Sequence, residues 1–248
     1  MKAYRVDASD GEVRLEDVEQ PVPRAGEVLV RIAACGLNFA DLLMLKGTYQ
    51  DMPARPYTPG MELSGTIEAR GDGVTDLETG TRVAVFAGHG GLAEYGVFPA
   101  QRCVPLPGSM DFAEAAGFLV AYGTSHLALT RRARLRDGER LLVIGAGGGV
   151  GLSAVELGAA LGAEVIAAAR GPDKLAAART AGAHHLVDLA TADLTAEVRA
   201  LGSADVVYDA VGGQAFDAAL RAIRPEGRVL VIGFASGDVP QIAANRLL

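Results

Sequence analysis

Only two cysteines, Cys35 and Cys103, occur in the 248 residues. That excludes a disulfide framework and any four-cysteine zinc site, and it fits a reducing compartment. Basic residues are not in excess: Lys and Arg number 23 against 30 Asp and Glu, a net charge of −7. Residues 1–118 hold 10 Lys and Arg against 17 Asp and Glu, while residues 119–248 hold 13 of each. The whole acidic excess therefore lies in the first half. An acidic chain without a basic stripe is not expected to bind nucleic acid, whereas a neutral, Arg-bearing second half suits a small polyanion. No apolar h-region follows the charged start MKAYRVDASDGEV, so no signal peptide is read there. The longest strongly apolar stretch, residues 141–155, carries five glycines; a bilayer span takes about 20 residues. No membrane partner and a cytoplasmic location are expected. Internal repeats and low-complexity tracts are absent as well.

What remains is a globular composition, 50% hydrophobic and 21% charged, with 32 glycines. Two textures divide the chain. Short strands are expected at 1–7, 13–18, 27–34, 63–70, 82–86 and 92–97, punctuated by Gly- and Pro-rich turns, with one short helix at 39–46. After Pro107 helices alternate with apolar runs. Helices are expected at 112–117, 122–132, 150–161, 172–180, 194–201 and 214–223, and strands at 140–145, 164–169, 185–188, 205–210 and 227–233. Strands buried on both faces and separated by helices indicate a parallel, doubly wound sheet. The expected fold class is thus α/β, with a β-barrel domain over 1–118 and a dinucleotide-binding domain over 119–248.

The sharpest motif is LLVIGAGGGVGLSAVELGAALGAEVIAAAR at 141–170. It is not a strict G-x-G-x-x-G. The register that fits is A-x-G-x-x-G on Ala146, Gly148 and Gly151, loosened further by Gly147 and Gly149, with Val150 opening the helix. Backbone without Cβ can approach a pyrophosphate, whose charge then meets unpaired N–H groups at a helix N-terminus. Gly151 would let the helix pack closely on the strand. A glycine-rich turn that merely packs a helix on a sheet is the alternative. NAD binders place Asp or Glu at the end of the second strand to hold the ribose 2′-hydroxyl. Here Ala167, Ala168 and Ala169 precede Arg170, with Lys174 one helical turn on. No carboxylate is read at that strand end, and both cations suit a 2′-phosphate, so NADPH is expected over NADH. Asp173 could pair with either cation.

The segments CGLNFADLLMLKGTY (35–49), RPYTPGMELSGTI (55–67), GGLAEYGVFPA (90–100) and AYGTSHLAL (121–129), followed by the glycine loop, resemble the zinc-independent quinone oxidoreductases. These form the zeta-crystallin-like branch of the medium-chain dehydrogenase/reductase superfamily. The resemblance implies a GroES-like barrel beside a Rossmann domain, with an active site in the cleft between them. Catalytic zinc in alcohol-dehydrogenase relatives would be ligated at the positions of Asn38 and Met61, and of that motif only Glu62 matches. A carboxamide and a thioether do not replace a thiolate and an imidazole on Zn²⁺, so no metal is expected. His89, His126, His184 and His185 lack a spacing that rebuilds a site.

Without zinc, the same resemblance places Asn38, Asp41 and Tyr49 at the reacting centre. Asn38 would donate to a ligand oxygen, and is counted among the cofactor-facing residues too. Asp41 would hold it, or act as a cap or ion-pair partner, and Tyr49 is the best proton donor of the three. By carry-over, Thr124 would reach the cofactor phosphate or nicotinamide, joined by Val211, Phe234, Ala235 and Ser236 beyond the fourth and fifth strands. A tyrosine common in the family after the third strand, near the adenine ribose, is missing here, where the stretch is Val187, Asp188, Leu189. The implied activity is NADPH-dependent reduction of a quinone or conjugated enone. An enoyl-thioester reductase, or a protein that binds NADPH without turnover, are the alternatives. Family members continue some 70–80 residues past ANRLL, and the sixth Rossmann strand would begin there. Whether the chain is a fragment or naturally short is open on sequence. The family's homodimer is not expected to carry over, because its seam strand is absent. The fifth strand would instead form an edge prone to self-association.

Overall fold

The computed structural model describes residues 1–7 and 12–243. They fall into two units, Met1–Val120 and Ala121–Leu248.

In the first unit, β1 (Lys2–Val6) and β2 (Val13–Asp17) form an antiparallel hairpin. A five-stranded antiparallel sheet follows, built from β3 (Glu27–Gly36), β4 (Glu62–Arg70), β5 (Arg82–Phe86), β6 (Tyr95–Pro99) and β7 (Cys103–Pro105), in the order β6-β3-β4-β5-β7. Period-2 alternation turns Val28, Val30, Leu63, Ile67, Val83, Val85 and Phe98 into one core. β3 shifts register against β4 between Leu29 and Val30 and again between Ile32 and Ala34. Such irregularities bend a strand, and here they bring Cys35 opposite Leu63 and Gly36 opposite Glu62. Helix α1 (Phe39–Leu45) starts immediately beyond. Helix α2 (Phe112–Ala116) is capped by Asp111, whose carboxylate accepts the Glu114 N–H at 2.7 Å.

Two expectations need correction in this unit. The strand expected at 92–97 runs over Tyr95–Pro99 instead. Leu92 has other partners: its N–H bonds the Pro59 carbonyl and its carbonyl accepts from Tyr4, both at 2.9 Å. The three-residue β7 was not anticipated, being too short to show a period.

The second unit carries β8 (Arg140–Ile144), β9 (Glu164–Ala169), β10 (His185–Asp188), β11 (Ala204–Asp209) and β12 (Ile223–Val231). They form an all-parallel sheet in the order β10-β9-β8-β11-β12. Helices α3 (Phe118–His126, which begins just before the unit boundary), α4 (Gly149–Ala160), α5 (Pro172–Thr180), α6 (Leu194–Ala200) and α7 (Gly213–Ala222) accompany it. Both sheet faces are covered. Leu141 and Val143 join one core with Val165 and Tyr208, and Leu142 and Ile144 join the other with Ile166 and Val207. Burial on both faces explains why these strands read as unbroken apolar runs. Chain order reverses between β8 and β11, and in such sheets ligands bind beyond the strand ends at that point.

The helix expected at 122–132 starts earlier, at Phe118, and widens into a π turn over Leu127–Arg132, where the Ala133 N–H reaches back five residues to the Ala128 carbonyl at 2.8 Å. The last strand lies four residues earlier at its start than expected. It pairs Ile223 with Ala204, bulges over residues 224–227, and resumes at Arg228 opposite Val206. Among the described residues β12 is an edge of this sheet. The sixth strand expected to begin at 244–248 lies outside the described residues. No helix among the described residues is long and apolar enough to cross a membrane.

Candidate functional site

In the first unit the chemistry gathers at the start of α1. Asn38 occupies the N-cap with extended backbone, φ −119° and ψ 156°. Asp41, three residues on, accepts the Asn38 N–H on Oδ2 at 2.8 Å, half of a capping box. The Asn38 side chain faces the Asp41 N–H to close the box, and its Nδ2 donates to Glu62 Oε1 at 2.9 Å, while Glu62 Oε2 accepts the Val120 N–H at 2.9 Å. An amide has two N–H donors and one acceptor oxygen, so Asn38 keeps a second N–H while Glu62 fixes its plane.

These groups sit in a dry place. Asp41 and Glu62 are 5% and 2% exposed. Burial raises both carboxyl pKa values. For Glu62 this is opposed first by the Asn38 amide and then by the Val120 and Leu119 N–H groups. For Asp41 it is opposed by the N–H groups of Asn38, Gly60 and Met61, and among the described residues Oδ1 has no hydrogen-bond partner. The adjacent Cys35 thiol is pushed up to about 12 by burial, with repulsion from Asp41 and Glu62 adding to it. Asn38 and Asp41 also border an apolar cavity of about 480 Å³ lined by Tyr4, Val13, Leu37, Phe39, Leu42 and Leu45. Tyr49 is half-buried beyond the end of α1 and does not line this cavity.

Metal ligation has little to work with here. Met61 is buried, both Glu62 oxygens are engaged, and among the described residues no group of three His, Cys, Asp or Glu could hold an ion. Three of the histidines have other partners. His89 packs edge-on against Tyr57, His184 Nδ1 accepts the Val165 N–H at 3.0 Å, and His185 meets Glu164 at 2.8 Å.

In the second unit the glycine loop joins β8 to α4. The Gly145 and Ala146 N–H groups both bond the Ala168 carbonyl, at 3.0 and 3.1 Å, which pins the loop to β9. Gly148 is the N-cap of α4, and the N–H groups of Gly149, Val150 and Gly151 have no acceptor within the helix. A Cβ on Gly151 would overlap the Gly145 carbonyl, so glycine there permits the close helix–strand contact expected from sequence. A Cβ on Gly147 would lie 2.5 Å from Lys174 Cβ and 2.7 Å from its Cγ. The Lys174 stem therefore rests directly on the loop. The result is a cradle of backbone N–H groups with a lysine laid over its rim, shaped for a pyrophosphate.

The other expected residues lie on neighbouring elements of this unit. The Val211 side chain lies on Gly145, and the Ala235 and Ser236 N–H groups bond the Ala210 and Val211 carbonyls at 3.3 and 2.9 Å. Phe234 is 39% exposed beside them. Thr124 is half-buried on α3, and Arg170 is exposed at the end of β9. No ion pair joins Asp173 to Arg170 or Lys174 among the described residues.

Three features were missed. The fully buried Asp209 accepts the Val211 N–H at 2.9 Å and the Gly212 N–H at 3.0 Å, and so shapes the turn that carries Val211. Burial raises its pKa against those same bonds. Its signal was local: an Asp before Ala-Val-Gly-Gly at a strand end. Ser125 Oγ contacts Tyr208 Oη at 2.8 Å, Ser153 Oγ at 2.9 Å and the Val150 carbonyl at 3.0 Å. This knot ties α3, next to Thr124, to the first turn of α4; no sequence signal announces it. The third corrects a reading. A carboxylate does stand at the second strand's end, because β10 brings Asp188 into register with Ala169, where it accepts the Gly171 N–H at 3.2 Å.

Comparison with known proteins shows the family. The alcohol dehydrogenase GroES-like domain matches residues 24–108, and the zinc-binding dehydrogenase family matches residues 149–248. The chain is 39% identical to the quinone oxidoreductase-like protein 2 homolog of Nematostella vectensis, over 90% of this chain and 62% of that one. It is 38% identical to quinone oxidoreductase-like protein 2 of Bos taurus, over 93% and 68%. The chain thus spans about two thirds of the length of these relatives. The quinone oxidoreductase of Thermus thermophilus, solved also in complex with NADPH, superposes with a TM-score of 0.85 at 35% identity, covering 100% of this chain and 77% of that one. A GroES-like unit and a Rossmann unit in one chain, with these relatives, place it in the quinone oxidoreductase-like branch of the medium-chain dehydrogenase/reductase superfamily.

Proposed function

We propose that this chain serves an NADPH-dependent oxidoreductase that reduces a quinone or a conjugated enone without zinc. The observation that carries the reading is the glycine cradle with Lys174 laid across it. The N–H groups of Gly149, Val150 and Gly151 would hold the pyrophosphate, and Arg170 with Lys174 would take the 2′-phosphate. Val211, Phe234, Ala235, Ser236 and Thr124 would line the rest of the dinucleotide. When bound, the dinucleotide supplies hydride.

The chain's own side chains orient the acceptor. Asn38 has a free N–H to offer an acceptor oxygen, and Glu62 holds the amide in plane. Asp41 fixes the Asn38 backbone and stands in surroundings that favour its protonated form relative to water. The Tyr49 hydroxyl is the proposed proton donor. Zinc is left out on the chemistry of the donor set: a carboxamide, a thioether and a carboxylate with both oxygens engaged do not suit it.

The test is NADPH oxidation followed against quinones, enones and enoyl thioesters, with and without chelator. Turnover of quinones or enones that survives chelation is the expected result. A preference for enoyl thioesters would identify the other reductase class. Tight NADPH binding with no oxidation of any acceptor would mark a non-catalytic binding protein.

A further inference from the structure

We propose that Asp188 is a specificity-determining residue: its carboxylate reads the adenosine ribose and restrains the chain's preference for NADPH over NADH. The inference rests on the nucleotide reading above. In register, Asp188 lies beside Ala169 on the neighbouring strand, about 4.8 Å away across a parallel ladder. Its Oδ1 accepts two backbone donors, Gly171 N–H at 3.2 Å and Ala190 N–H at 2.9 Å. Both bonds fall on one oxygen, so Oδ2 takes no hydrogen bond among the described residues.

The surroundings give this carboxylate its role. Arg170 stands between Ala169 and Gly171, exposed and without an ion-pair partner among the described residues. Lys174 lies in the first turn of α5 and lays its stem on Gly147. This strand end therefore carries two cations, Arg170 and Lys174, with two carboxylates, the exposed Asp173 on α5 and Asp188 held on β10. Arg170 and Lys174 favour a 2′-phosphate, and the Asp188 carboxylate opposes it from within a Debye length, about 8–10 Å. A ribose 2′-hydroxyl, in contrast, can donate to a carboxylate, the contact that NAD sites ordinarily take from the second strand. In this chain the third strand supplies the group. The two opposed influences on one rim make the chain less selective than its cations alone would make it.

The experiment is equilibrium binding of NADPH and of NADH, read by nicotinamide fluorescence, for the wild type and Asp188→Asn. Asparagine retains an acceptor oxygen for the Gly171 and Ala190 N–H groups while removing the charge. Removing one like charge at this range is expected to tighten NADPH about three- to tenfold, and NADH is expected to weaken slightly. The ratio of the two affinities rises in either case. Asp188→Ser, which also retains an acceptor oxygen, should shift the ratio in the same direction and serves if the asparagine variant does not fold. A purely structural role would weaken both cofactors equally; an unchanged ratio overturns the inference and leaves the nucleotide reading standing. A wild type that binds neither dinucleotide overturns both.

Discussion

Gly151→Ala tests the cradle by a single added methyl group. Its Cβ would overlap the Gly145 carbonyl oxygen and lie 2.8 Å from that carbonyl carbon and 2.9 Å from Ala146 Cα. Carbon atoms prefer about 3.5–4.0 Å. All three neighbours are backbone, so no side chain can rotate away and the start of α4 must withdraw by roughly 1 Å. Overpacking of this kind costs about 1–3 kcal/mol, against about 1 kcal/mol gained from alanine's better helix propensity. The net expectation is a loss of up to about 2 kcal/mol, or up to some 8 °C in the melting temperature of the Rossmann unit. NADPH affinity should fall about five- to thirtyfold, because the N–H groups of Gly149 to Gly151 move with the helix and forfeit about 1–2 kcal/mol of charge-assisted hydrogen bonds that are worth about 1.5–3 kcal/mol each when intact. Gly149→Ala is the control: beyond its own helix backbone, no atom among the described residues lies within 4 Å of its Cβ, so its melting temperature should hold or rise. Thermal unfolding without nucleotide and a fluorescence titration with NADPH read both effects. If Gly151→Ala melts and binds like the wild type, the close contact is not what shapes the cradle.

Other perturbations give equally direct readings. Arg170→Ala should lose about ten- to a hundredfold in NADPH affinity and little in NADH, since a charge-assisted bond contributes about 1.5–3 kcal/mol; equal losses would mean that Arg170 does not read the 2′-phosphate. Tyr208→Phe removes the phenolic partner of Ser125 from a fully buried position, and a loss of about 1 kcal/mol is expected on denaturant unfolding, with no loss counting against the knot. The Cys35 thiol, raised to about 12, stays protonated throughout the neutral range. Only the thiolate is nucleophilic, so alkylation of Cys35 at pH 8 should run at least about a hundredfold slower in the native protein than in denaturant. Comparable rates would show that the thiol is not held in a dry, acidic pocket.

What could be read from sequence and what could not divide along a physical line. The β8–loop–α4 unit and the role of Gly151 were legible because strand, glycines and helix are contiguous and each leaves its own local pattern. Pro172 at the first turn of α5 marked that helix start in the same way. Asn38 and Asp41 were singled out through the family resemblance, while the hydrogen bond from Asn38 to Glu62, 24 residues away, depends on how β3 bends beside β4. Asp188 was read past because its meaning lies in the pairing of β10 with β9. The Ser125–Ser153–Tyr208 knot joins residues up to 83 positions apart, and nothing in a serine or a tyrosine declares its partner at that distance. Local periodicity finds elements; the partners of polar side chains are settled only when those elements pack.

Hydride transfer without zinc is tested most directly in a single turnover. The protein, freed of metal by chelation and loaded with NADPH deuterated at the transferred position, would be mixed with a quinone. The account predicts one NADPH oxidised for each quinone reduced, at a rate slowed by the deuterium and unchanged when zinc is restored. Oxidation that appears only after zinc is added, or none from a protein that binds NADPH tightly, would contradict it.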